Sequence, residues 1–184
     1  MKTLIWKGIC YESLEYFNIR ENQTGYTATS KIIGCYENKI YHVNYTISID
    51  KSWNILEFTI ESEINTKKNL IRGRKIQNEW KINDTINTHL KGFTFIDISL
   101  TPFTNTLPVN HLQLPENGSQ EIEAIYIDIL NNQIKPAGQR YTRTSVNTYL
   151  YENIRTDFKA DITVNESGLI ENYPQLFKKI AEYD

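Results

Sequence analysis

The sequence predicts an all-β protein: one large antiparallel sheet curled into an open barrel or β-roll, with a short C-terminal helix. Three observations carry that expectation. Apolar and polar residues alternate with period two in several runs, the mark of strands with one buried face. Turn-forming residues separate those runs at short intervals, as hairpins require. Helical periodicity is scarce. Roughly ten strands result, and a sheet of that size tends to curl or close.

The elements follow in chain order. Leu14 to Ile19 is strand-like and is interrupted by Glu15. Glu37-Asn38 suits a tight hairpin turn. Tyr41, Val43, Tyr45, Ile47 and Ile49 then alternate with His42, Asn44, Thr46, Ser48 and Asp50. Asp50-Lys51-Ser52 reads as the next turn, ahead of Trp53, and Leu56, Phe58 and Ile60 mark the strand that follows. Arg72-Gly73-Arg74 reads as a solvated hairpin tip; Pro115-Glu116-Asn117-Gly118 and Asn165-Glu166-Ser167-Gly168 read as further turns. Ile125, Ile127 and Ile129 mark one late strand, and Phe158, Ala160, Ile162 and Val164 another. From Pro174 the pattern changes. Proline suits the first helical position, and Leu176, Phe177 and Ile180 would share one helical face.

Composition narrows the function classes. A chain of 184 residues suits one domain, 1–184, able to bury a sizeable core without staples. A net charge of −2 and the lack of long basic runs argue against a nucleic-acid partner. Cys10 and Cys35 read as free thiols, which suits a reducing compartment. The apolar stretch Thr3 to Trp6 is too short for a signal peptide, and no segment reaches membrane-spanning length, so a cytoplasmic location is expected. His42, His89 and His111 lie in separate segments without metal-ligand spacing. No nucleophile elbow and no glycine-rich phosphate loop occurs, and no cofactor is expected.

One run does not fit a regular element: Asp97-Ile98-Ser99-Leu100-Thr101-Pro102-Phe103-Thr104-Asn105-Thr106-Leu107-Pro108-Val109. Its two prolines cannot donate backbone hydrogen bonds and push their predecessors toward extended geometry. It is polar yet carries no charge after Asp97. It reads as an extended or turn-rich segment tucked against the body, with its hydroxyls and amide satisfied inside.

Thr101 to Val109 resembles the signature run of the putative glycolipid-binding family, a group of small bacterial all-β proteins. Trp6-Lys7-Gly8 with Ser13-Leu14-Glu15, then Trp53, Gly92 and Asp97, resemble that family's motifs in the same order. So do Gln139-Arg140-Tyr141-Thr142 and a C-terminal block. The block comprises Phe158, Ala160, Asp161, Gly168-Leu169-Ile170 and Tyr173-Pro174-Gln175-Leu176-Phe177. Ser13 and Asn172 depart from the family pattern, which has Gly and Asp there. The resemblance implies a fold similar to lipoprotein carriers, whose concave apolar face would make a trough for an acyl chain.

In that reading Asp97, Thr101, Phe103, Thr104, Asn105, Thr106, Arg140 and Tyr141 form a polar cluster at the mouth or floor of the trough. Arg140 pairs an anionic or polyhydroxyl headgroup, and Asn105 and the threonines orient it. Trp6, Glu15 and Trp53 are secondary candidates. Asp97 shares a face with Phe95, and Arg140 is its natural partner, either as a structural pair or as part of a ligand site. The expected function is non-catalytic binding of a glycolipid or other amphipathic ligand. One alternative is a small-molecule enzyme using a buried carboxylate with Arg140 and Tyr141. Another is a ligand-free scaffold, a homodimer through exposed sheet edges.

Overall fold

The structure, a computed structural model, describes residues 1–184. The first strands are β1 (Lys2–Gly8), β2 (Ser13–Glu21), β3 (Gly25–Tyr36), β4 (Lys39–Asp50), β5 (Ile55–Ile64), β6 (Lys67–Ile76), β7 (Glu79–Ile82) and β8 (Thr85–Asn87). A 3-10 turn, Thr88–Leu90, leads to β9 (Phe95–Ile98) and to one α-helix, α1 (Phe103–Leu112). The chain ends in β10 (Ser119–Asp128), β11 (Gln133–Ser145), β12 (Thr148–Asn153), β13 (Lys159–Val164), β14 (Ile170–Tyr173) and β15 (Phe177–Tyr183).

All 15 strands form one sheet, in the order β8-β7-β6-β5-β4-β3-β2-β1-β15-β14-β13-β12-β11-β10-β9. Every pairing is antiparallel except β9 with β10. The alternation read in the sequence is realised in β4, where Tyr41, Val43, Tyr45, Ile47 and Ile49 are all buried. The expected barrel or roll is not formed. The strand order is open, with β8 and β9 as its two edges. The core is filled from both halves of the open sheet, with Phe103 and Leu107 of α1 joining them. Side chains nonetheless reach between distant strands: Asn69 of β6 donates to the Asn132 side chain (2.6 Å), and Lys39 to the Leu130 carbonyl (3.0 Å), both in the β10–β11 turn.

Two further expectations are corrected. The C-terminal helix is instead β15, which pairs with β1 from Gly8↔Phe177 to Thr3↔Tyr183. Pro174 opens a tight turn, with Gln175 at φ 67° and Leu176 N–H bonded to the Tyr173 carbonyl at 3.0 Å. Proline suits that turn position as well as the first position of a helix, and a strand edge waiting on β1 decides between them. Arg72-Gly73-Arg74 is no hairpin tip but lies within β6. Gly73 is there because the Phe58 ring lies over it; a Cβ would stand 2.2 Å from that ring.

The Thr101 to Val109 run is also not extended. It starts α1, with Pro102 as its N-cap residue and Pro108 inside the helix. Proline is tolerated at a helix start and costs about 3 kcal/mol in an interior. Enclosure offsets that cost. Every residue from Phe103 to Val109 is buried, so polar and apolar side chains are mixed around the helix instead of segregated. Phe103 packs on Phe17 of β2, with ring centroids 4.5 Å apart, and on Tyr45 of β4 at 6.5 Å. Phe17 in turn meets Trp6 of β1 at 4.9 Å. The helix thus fills the space beside the apolar face of the first half of the sheet. Truncating its central anchor, Phe103→Ala, is expected to cost about 3–5 kcal/mol of stability, read as the midpoint shift in urea unfolding.

Candidate functional site

β9 lies along α1 and presents Asp97 to the start of that helix. Thr104 Oγ1 donates to Asp97 Oδ1 at 3.3 Å. From β11, Gln139 Nε2 donates to Asp97 Oδ2 at 2.6 Å. Gln139 and Tyr141 share a face because they are two apart on a strand. Tyr141 OH donates to Asn105 Oδ1 at 2.8 Å, which ties β11 back to the helix. Burial raises the Asp97 carboxyl from its ordinary 3.8 to about 6, against the pull of the Gln139 and Thr104 hydrogen bonds.

Asp97 opens onto a cavity of ≈ 240 Å³ at the end of the sheet where β1 turns into β2 and β14 into β15. Its walls are the rings of Tyr11, Tyr126, Tyr151, Phe158, Tyr173 and Phe177. Its polar lining is Asp97, Ser99, Thr101, Asn105 and Asn153. Phe158, at 37% exposure, stands at the opening.

A second carboxylate lies behind Thr101. Glu15 of β2 is 2% exposed, and its Oε1 accepts from Ser30 Oγ (2.7 Å), Tyr45 OH (2.8 Å) and Thr101 Oγ1 (2.9 Å). Thr101 Oγ1 also accepts the Phe103 N–H at 3.1 Å, so this cluster holds the first turn of α1. Glu15 Oε2 has no partner. Burial pushes the Glu15 carboxyl from 4.5 to about 7, although the three hydroxyl donors oppose the rise.

The remaining predicted residues fall elsewhere. Arg140 is not the partner of Asp97. It sits between Gln139 and Tyr141 on β11, so its side chain leaves by the opposite face. There it binds Glu121 and, at 3.3 Å, Glu152, its register partners on β10 and β12. Trp6 is wholly buried and donates its indole N–H to the Ile170 carbonyl at 2.6 Å. Phe103 is core. Thr106 is buried with its hydroxyl unpartnered. Trp53 stacks on Tyr26 at 4.6 Å at the far end of the sheet, beside a separate groove shared with Met1, Ile19 and Leu169. No group of three or more His, Cys, Asp or Glu side chains is placed to hold a metal ion, and no helix is long and apolar enough to cross a membrane.

This arrangement is carried by a chain whose residues 3–179 match one family model, described as putative glycolipid-binding. The chain belongs to that family. It is similar over 90% of its length to the crystal structure of a DUF1089 family protein from Pseudomonas aeruginosa, 92% of which is covered, with 29% identity and a TM-score of 0.82. A beta-barrel-like protein of DUF1849 from Brucella abortus shares the fold alone, at 8% identity and a TM-score of 0.54, with 100% of this chain and 98% of that one covered. No curated relative matches. In this family member the signature run supplies two cavity-lining groups, Thr101 and Asn105, one group behind them, Thr104, and a core anchor, Phe103.

Sequence reasoning missed Gln139 as the Asp97 partner, and Ser30 and Tyr45 as donors to Glu15. The alternation in Gln139-Arg140-Tyr141 held that signal, because it sets Arg140 on the opposite face from its neighbours. That the rings of Tyr126 and Tyr151 converge with those of Tyr11 and Tyr173 has no local sequence signal.

Two measurements check these assignments. Gln139→Ala removes the closest donor to Asp97, so the Asp97 pKa, followed by carboxyl NMR, is expected to rise above about 6, whereas Arg140→Ala leaves it in place. Glu15 sets a pH slope. Between its unfolded value near 4.5 and its folded value of about 7, the folded chain holds a proton that the unfolded chain has lost. That contribution is full below the unfolded value and is lost as pH rises, by up to about 3 kcal/mol. Urea unfolding across this range is expected to show a shallower decline for Glu15→Gln than for the wild type.

Proposed function

We propose that this protein binds the headgroup of a small polyhydroxylated or amphipathic ligand, such as a glycolipid, in the cavity over Asp97, without turnover. The observation that carries the reading is convergence at one end of the sheet. Six aromatic rings meet Asp97, Asn105 and Thr101, whose positions are fixed by the helix and by β11. Aromatic rings offer flat apolar faces to sugar rings, and a few placed polar groups set orientation.

Size refines the reading. Pockets for drug-sized ligands run from about 300 to 1,000 Å³. A cavity of ≈ 240 Å³ suits about one ring and not a whole glycolipid. α1 packs into the inner face that could have served as an acyl trough, with Phe103 and Leu107 joining its core. In this reading an acyl chain stays outside, and the ligand is held by its head.

Alkyl glycosides of one headgroup and increasing chain length test this by calorimetry. Affinity is expected to depend on the headgroup and hardly on the chain. A gain of about 0.8 kcal/mol for each added methylene would show chain burial and overturn the head-only reading. Asn105→Ala is expected to weaken binding by about 1–3 kcal/mol. The Asp97 carboxyl, raised to about 6, supports a second reading as an acid or base acting on the bound ring. New ligand signals on prolonged NMR incubation, lost in Asp97→Asn, would favour it.

A further inference from the structure

Resting on the cavity reading above, we infer that the headgroup it takes is cationic, an ammonium held among the aromatic walls with Asp97 as its counter-ion.

The charge of the cavity is one-sided. Both partners of the Asp97 carboxylate, Gln139 and Thr104, are neutral, and no lysine, arginine or histidine lines the space. Three nearby cations, Arg140, Lys159 and Lys39, are committed elsewhere. Arg140 binds Glu121 and Glu152, and Lys159 binds Glu152 at 2.7 Å. Lys39 is tied to the Leu130 carbonyl and the Asn131 side chain. Lys135 is exposed and stands 5.5 Å from the Tyr126 ring centroid, an instance of that ring accepting an ammonium. A half-buried carboxylate with no cation facing it is costly until a positive charge arrives.

The walls agree with the floor. Aromatic ring faces carry negative potential and attract ammonium groups, most strongly where water is excluded. Burial, with the charge of Asp97 adding to it, raises the phenols of Tyr11, Tyr126, Tyr151 and Tyr173, so they remain neutral donors and ring faces. An anionic headgroup would meet the like charge of Asp97 and gain no partner.

Isothermal titration of the full chain at neutral pH tests this with glucosamine, glucose, glucuronate and choline as probes. Glucosamine is expected to bind at least about tenfold more tightly than glucose, with glucuronate weakest. Choline binding as well as glucosamine would support recognition of the ammonium itself; choline binding less tightly, with glucosamine still ahead of glucose, would support an amino sugar. Asp97→Asn is expected to erase the preference for glucosamine over glucose. Phe158→Ala changes a ring at the opening and leaves the core intact; it is expected to weaken glucosamine binding several-fold. Equal affinity for glucose and glucosamine, unchanged in Asp97→Asn, would overturn the cationic headgroup and leave the cavity reading standing. Failure of every probe to bind would overturn both.

Discussion

The contact between Thr101 and Glu15 governs how this sheet can exist around a helix. α1 is short, contains a proline and is enclosed from Phe103 to Val109, so it would be a poor helix on its own. Its first turn is set by Thr101, whose hydroxyl accepts the Phe103 N–H while donating to Glu15. Ser30 and Tyr45 anchor Glu15 from neighbouring strands. One carboxylate thus joins three strands of the first half of the sheet to the start of the helix. The aromatic contacts of Phe103 with Phe17 and Tyr45 then seat the helix on those same strands.

The position of the candidate site follows from that seating. Thr104 and Asn105 lie in the first turn, so the cluster that fixes Thr101 also fixes the groups that meet Asp97 and Tyr141. β9, the parallel edge strand, is held between the helix and β10, and Asp97 is placed from both sides. What remains open is the end of the sheet beyond the helix start, where tyrosines from β10, β12 and β14 meet Tyr11. A trough the length of the sheet and a buried helix compete for the same space. The helix packs into that space, and the cavity lies beyond its first turn.

Strands were legible because their signal is local. Period-two alternation in β4 needs no knowledge of what pairs with it. The failures share one cause, which is tertiary context. Pro174 fits a helix start and a tight turn equally well, and only the unpaired edge of β1 selects the strand that follows. Pro102 and Pro108 argue against a helix in water but not against one enclosed on every side. Gly73 reads as a turn until Phe58 is known to lie over it. At the site, composition suggested Asp97 with Arg140, since a buried carboxylate seeks a cation. The alternation in β11 contradicted that pairing and was the better guide.

Glu15 and Asp97 are both carboxylates raised by burial, yet they are not equivalent. Glu15 is sealed and has a single atom receiving three donors. Its bare Oε2 is consistent with a carboxylic acid whose proton persists to near neutrality, so the charge that would destabilise the enclosure is avoided. Asp97 has each oxygen held by one neutral donor and remains open on the cavity side. At neutral pH its carboxyl, at about 6, is mostly ionised, and the fold supplies no cation to meet it. A charge retained without an internal cationic partner, on the open side of an aromatic chamber, sets Asp97 apart from Glu15, which closes a core.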